Sequence, residues 1–293
     1  MNRSRGGVAA ALGAFFLWGV LPLFWKCLHF LEPAAIIAQR TLWSLLLLLP
    51  LLAWRGQLRE VARALSSGRG CGWHLLSGGL LASNWMLYVW ATLNGRILEG
   101  ALGYYLNPFL NMLFGALFFG ERQSRRQVAA VGLALAGVAC QFPAVDGLPW
   151  VALALALTFS LYAVVRKKAP LGALGGLTAE TALLAPLAAF WLLWQNQQGA
   201  TLFGGSAGRA WLVAATGLAT AAPLLLFSHA TRTIPLTTLG LLQFLGPTLQ
   251  FAIGWGLYGE EMNPLRLTSF ALIWTAVLIH ATDALARRPP ASD

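Results

Sequence analysis

Two stretches, LGYYLNPFLNMLFGALFFGE (Leu102–Glu121) and LGLLQFLGPTLQFAIGWGLYGE (Leu239–Glu260), set the terms for the rest of the chain. With Pro108 laid on Pro247 the offset is 139 residues, and the same offset lays Asn111 on Gln250, Gly120 on Gly259 and Glu121 on Glu260. It also lays Ala91–Thr92 on Ala230–Thr231, while Lys26 meets Lys167 and Trp18–Gly19 meets Phe159–Ser160 at an offset of 141. A single match would mean little. A proline, an amide position and a Gly-Glu pair held in register across two apolar stretches indicate two related halves, 1–145 and 146–293.

The surroundings of these stretches are too apolar to face water. Of 293 residues, 58% are hydrophobic and 10% charged, and the mean hydropathy is +0.66. A soluble domain carries about 25% charged residues, so the outer surface here must meet lipid. Collagen-like, disordered and disulfide-stapled classes are excluded by the same composition, which includes three cysteines at no metal-ligand spacing. The net charge of +10 is not a nucleic-acid footprint, because the basic residues sit in short clusters between apolar runs.

About 20 apolar residues are needed to cross a bilayer as a helix, fewer where it is tilted or shielded. That ruler predicts ten spans: Val8–His29, Ala34–Trp54, Gly72–Leu93, Ile97–Phe119, Gln127–Phe142, Leu148–Val165, Leu174–Trp194, Ala210–Thr231, Leu236–Tyr258 and Leu265–Thr282. The first apolar run continues past Trp25 and is too long for a cleaved leader, so it is expected to stay. With the N-terminus inside, fifteen Lys and Arg fall on the cytoplasmic side and Arg96, Arg209 and Arg266 on the other. That asymmetry predicts N-in, C-in. Between the second and third spans, Leu58, Val61, Ala62 and Leu65 share a helical face and Arg55, Arg59 and Arg63 another, which suits a helix lying along the inner leaflet or a plain basic loop.

Each half holds five crossings. Five is odd, so the halves run in opposite senses and are related by an axis in the membrane plane. The expected fold is therefore an all-α membrane protein of ten transmembrane helices in two inverted five-helix repeats. Inverted repeats recur in secondary transporters, where exchanging the conformations of the halves alternates access between the two faces. A membrane enzyme acting on a lipid-linked substrate is the alternative, but it wants acids or histidines gathered at one face. The chain offers scattered His29, His74, His229 and His280 instead.

LWGVLPLFWK (Leu17–Lys26), QRTLWS (Gln39–Ser44), SNWMLYVWA (Ser83–Ala91), LEGALGYYLNPFLNMLFGALFFGER (Leu98–Arg122), RKKAPL (Arg166–Leu171) and LTTLGLLQFLGPTLQF (Leu236–Phe251) carry a resemblance. They resemble the EamA-type permeases of the drug/metabolite transporter superfamily. The resemblance covers both halves and implies a ten-helix duplicated fold but names no substrate; the chain is expected to be a multi-pass plasma-membrane permease for a small organic solute, with no cofactor. It transfers no residue roles.

Transporter sites lie near the midplane where the repeats meet. Mid-span residues able to contact a solute are Trp18, Asn84, Trp85, Tyr104, Asn107, Asn111, Tyr162, Gln243 and Gln250. The amides bond through both ends, and the aromatics suit a flat or cationic body; the competing role for each is helix-helix packing. The fourth and ninth spans, with their matched prolines, are expected to line the cavity along the faces bearing Asn111 and Gln250. Lys26 and Arg40 fall inside spans, and Glu99 and Glu180 are the acids near or within them. Arg40 is expected about 9 Å below the outer face with Glu99 as its partner and Glu180 as its counterpart on the other side, unless the arginine snorkels to headgroups.

Overall fold

The computed structural model describes residues 2–120, 123–140, 149–231, 233–234 and 242–286, and no strand occurs among them. In chain order the helices are α1 (Asn2–Cys27), α2 (Pro33–Trp54), α3 (Leu58–Ser66), α4 (Gly68–Leu93), α5 (Ile97–Phe119), α6 (Arg125–Ala139), α7 (Trp150–Lys168), α8 (Ala173–Gln197) and α9 (Ala207–Thr231). They are followed by α10 (Leu245–Ala252), which runs into a π-helical turn at Ile253–Leu257, and by α11 (Pro264–Ala286). The beginning of the predicted ninth span, together with Glu121 and Phe142, lies outside the described residues.

Seven of the described helices, α1, α2, α5, α7, α8, α9 and α11, are long and apolar enough to cross a membrane. The chain is a multi-pass helical membrane protein. The remaining predicted spans fall short for identifiable reasons. The 26-residue α4 holds His74, Ser77 and Asn84, polar groups that are fully buried against protein. α6 has 15 residues, and α10 has 8 before its helical register changes.

Local chemistry sets several of the boundaries. Pro33 opens α2, where its fixed φ and missing N–H suit the first turn. Ser124 and Gln127 form a reciprocal capping box at α6. Gly120, ending α5, and Gly259, just past the π-helical turn, take left-handed φ values of 66° and 64° that an L side chain rarely adopts. These are the glycines paired across the repeat. The amphipathic stretch after α2 is a helix, not a plain loop. α3 buries Val61 against Leu52, Leu171 and Ala179, while Arg59 and Arg63 stay exposed.

The two halves do not pack as separate bodies. α1 lies against α9 and α10, α2 against α8 and α9, α4 against α7 and α8, α5 against α7 and α10, and α6 against α11. Almost every principal helix contact therefore joins one half to the other, which puts the middle of α2 and α8 at the centre of the interface.

Candidate functional site

Arg40 and Glu180 are the eighth residues of α2 and α8, and both are buried, at 4% and 1% exposure. Placing a charge in a span costs about 2.5–3.5 kcal/mol on insertion scales, so each must be answered by its surroundings. Arg40 turns toward α1, α4 and α9. Its Nε donates to Thr220 Oγ1 at 3.1 Å. The guanidinium carbon lies 3.8 Å from the Trp85 ring centroid and 5.0 Å from that of Trp25. Trp85, Tyr88 and Tyr104 belong to the same apolar cluster as Trp25, so the cation sits in an aromatic box.

Glu180 has a different setting. Its Oε1 accepts from Ser77 Oγ at 2.6 Å and lies 3.4 Å from Arg166 Nε; its Oε2 accepts from the Tyr162 hydroxyl at 3.3 Å. Arg166 Nη2 also donates to the carbonyls of Leu171 and Gly172. Gly78 allows α4 to approach the Glu180 backbone closely. Beside Glu180 lies a narrow crevice with room for about 10 Å³, lined by Thr41 and Ser44 of α2, Gly78 and Trp85 of α4, and Glu180 and Thr181 of α8. Trp85 is common to the crevice wall and the arginine box.

The expected Arg40–Glu99 pair does not form. Glu99 lies 3.7 Å from Arg96 on its own first turn and shares a small recess with Arg266 of α11. The reason is topological: α2 packs on α4, α8 and α9, whereas α5 packs on α7 and α10. Arg40 does not snorkel either, since it is enclosed by rings. Lys26 lies 5.0 Å above the Tyr258 ring.

The amides divide. Asn84 is fully engaged as a strut: Nδ2 donates to Leu155 O and Thr158 Oγ1, both at 2.9 Å, and Oδ1 accepts from Tyr104 at 3.2 Å. Gln250 is buried and donates to Trp18 O at 3.2 Å, leaving Oε1 unpartnered among the described residues. Asn107 is buried with Oδ1 likewise unpartnered, and Gln243 is half-buried in the turn before α10. Asn111 is exposed. Of the two amides expected to face the cavity, Gln250 is seated by α10 on α1, while Asn111 lies on an exposed face of α5. Trp18 packs with Phe15 and Phe227. Tyr104 and Tyr162 approach Phe159 from two sides.

One contact between the halves has no direct signal in the sequence. The carboxylate of Glu260 receives the first free amides of α5, from Ile97 N at 2.6 Å and Leu98 N at 2.8 Å. The second half thereby caps a helix of the first, where the helix dipole favours an anion. The recurring Gly-Glu pair was the available signal, but nothing in it named the acceptor's target. Burial pushes the Glu260 carboxyl above the usual carboxylate range, partly opposed by the two amides and by Arg266 and Lys26. A raised folded-state pKa means that the capped state binds a proton the opened chain does not. Stability from this group is full below the ordinary glutamate pKa and is lost as pH rises through the raised value. Thermal unfolding followed from pH 4 to 7 should show that decline, and Glu260→Gln should flatten it.

The described helices thus form a multi-pass bundle whose two halves pack across a partly polar, aromatic interface. Residues 5–142 match the EamA-like transporter family. An uncharacterized transporter of Pseudomonas aeruginosa is 44% identical over 285 residues, covering 96% of this chain and 94% of that protein. Protein RarD of Streptomyces exfoliatus is 40% identical over 97% of this chain and 90% of its own, and protein RarD of Escherichia coli is 35% identical over 97% and 96%. A solved crystal structure superposes with a TM-score of 0.60 at 22% identity, covering 96% of this chain and 99% of that one, which speaks for the fold alone. The chain belongs to the EamA-like transporter family and to its RarD-type branch.

Proposed function

We propose that the chain is a carrier of the plasma membrane, built as ten spans in two inverted repeats with both termini inside, and that it moves a small organic solute by alternating access. The observation that carries this reading is the placement of Arg40 and Glu180 at the same position of paired helices, on either side of Trp85, which stacks on Arg40 and walls the crevice of Glu180, in halves that pack chiefly on each other. Element boundaries support the duplication. α2 and α8 begin 140 residues apart, at Pro33 and Ala173. α4 and α9 begin 139 apart, at Gly68 and Ala207, as do α6 and α11, at Arg125 and Pro264. The charge asymmetry of the loops supports the orientation. In that orientation the Glu260 cap and the Lys26–Tyr258 contact close the outer end, and the Gln250–Trp18 bond joins α10 to α1 nearer mid-span.

A carrier, unlike a channel or an enzyme, shows trans-stimulation. Solutes whose partition differs between cells with and without the protein, found by untargeted metabolite comparison, should exchange in counterflow across proteoliposomes. Uptake of the labelled solute is expected to rise several-fold when unlabelled solute is loaded inside. Equal uptake by loaded and empty vesicles would remove the carrier reading.

A further inference from the structure

From the surroundings of Arg40 we infer that the transported solute, on the carrier reading above, is a small aromatic monocarboxylate whose carboxylate binds this guanidinium. Arginine keeps its charge in proteins. The described ion pairs are Arg96–Glu99 and Arg166–Glu180, and no carboxylate among the described residues stands within ion-pair distance of Arg40. The repeat places a carboxylate at the matching position, Glu180, but in the crevice beyond Trp85 and already held by Arg166. Arg40 is thus a 96%-buried cation whose counter-charge is not supplied by the described protein.

The free atoms around it are donors. The described hydrogen bond of Arg40 leaves from Nε, to Thr220, so the end-on fork of Nη1 and Nη2 is the face left over. Beside it, Trp25 Nε1 and the Tyr88 hydroxyl are buried with no partner among the described residues. Tyr88 and Tyr104 both lie within electrostatic reach of the guanidinium. A planar carboxylate matches that fork with two parallel bonds. One cation neutralises one negative charge, which favours a monoanion over a phosphate. The walls argue for a flat body behind the carboxylate: Trp85 and Trp25 present ring faces, and Tyr88 and Tyr104 meet edge to face with centroids 5.2 Å apart. Trp85 also borders the crevice that holds Glu180, so the box and the crevice share one wall.

Equilibrium binding of labelled benzoate, phenylpyruvate and indole-3-acetate to the purified full chain in lipid nanodiscs tests this without requiring transport. At least one acid should bind saturably, its uncharged amide should compete at least tenfold more weakly, and inorganic phosphate should not compete. Arg40→Gln should weaken binding at least tenfold. Arg40→Lys, which keeps the charge but loses the fork, should fall between, and it serves if the glutamine variant does not assemble. No saturable binding by any of the three acids, competition by amides equal to that by acids, or unchanged affinity in both Arg40 variants would overturn the inference. Arg40-dependent binding without counterflow would leave the anion site standing and remove the carrier. Counterflow of a solute indifferent to Arg40 would do the reverse.

Discussion

Arg166→Gln is expected to lower the apparent melting temperature of the detergent-solubilised chain by roughly 5–8 °C, and Glu180→Gln by much less. Removing one partner of a buried ion pair costs about 3–5 kcal/mol because the other charge is left uncompensated. The two partners are not equally exposed to that penalty. Without Arg166, Glu180 keeps Ser77 and Tyr162 as donors but is 2% exposed in its side chain, and it must take up a proton or remain an unmatched anion. Protonation moderates that loss, because a neutral carboxyl needs no counter-charge. Without Glu180, Arg166 is 15% exposed and still donates to the carbonyls of Leu171 and Gly172. The glutamine at 180 also keeps an oxygen for Ser77. The double variant should therefore melt close to Glu180→Gln and well above Arg166→Gln, a coupling that additive effects would not give. Equal and additive shifts, followed by fluorescence size-exclusion after heating, would show that the pair carries no such strain.

Most of the helices were legible in the sequence, because apolar length is the dominant signal for a span and charged clusters mark its ends. The duplicated Pro and Gly-Glu landmarks carried further, since the left-handed turns at Gly120 and Gly259 follow from the same local need in each half. Side-chain partners were less legible. Arg40 and Glu99 sit at similar expected depths, but depth along the membrane normal leaves open which helices are neighbours, and α2 and α5 face different ones. Arg166 was read as a topology signal in a basic cluster, though its guanidinium folds back to Glu180 over the space left by Gly176. Trp25 and Tyr88 carried no polar pattern at all; their unpartnered donors become visible only when the neighbouring helices are in place. Asn84 shows the opposite limit. An amide at midspan reads as a binding group, while its actual bonds, to α5 and α7, depend on contacts between 20 and 74 residues away in the chain.

Small residues on the crossing helices should divide sharply in what a methyl group does to them. A Cβ on Gly217 of α9 would lie 2.6 Å from the carbonyl carbon of Trp43 and 2.7 Å from its oxygen. These are backbone atoms of α2, so no side-chain rotation relieves the clash and the two helices must separate. Overpacking of this kind costs about 1–3 kcal/mol and occasionally more, and the close approach that small residues permit is what holds membrane helices together. The matching position at the 139-residue offset, Gly78 of α4, is looser: its Cβ would meet the Glu180 Cβ at 3.3 Å. Gly79, one residue on, has nothing within 4 Å. Replacing a helical glycine by alanine where there is room gains up to about 1 kcal/mol from backbone entropy. Gly79→Ala is therefore expected to raise the melting temperature slightly, Gly78→Ala to lower it modestly, and Gly217→Ala to lower it most. The Gly217 loss should extend to binding, because Thr220 lies one turn further along α9 and holds Arg40 through its Nε. Displacing that turn should weaken aromatic acids several-fold even where enough folded protein remains to measure. Melting temperatures that rise alike in all three variants would mean that α2 and α9 are not in backbone contact, and the seam on which the arginine box rests would have to be redrawn.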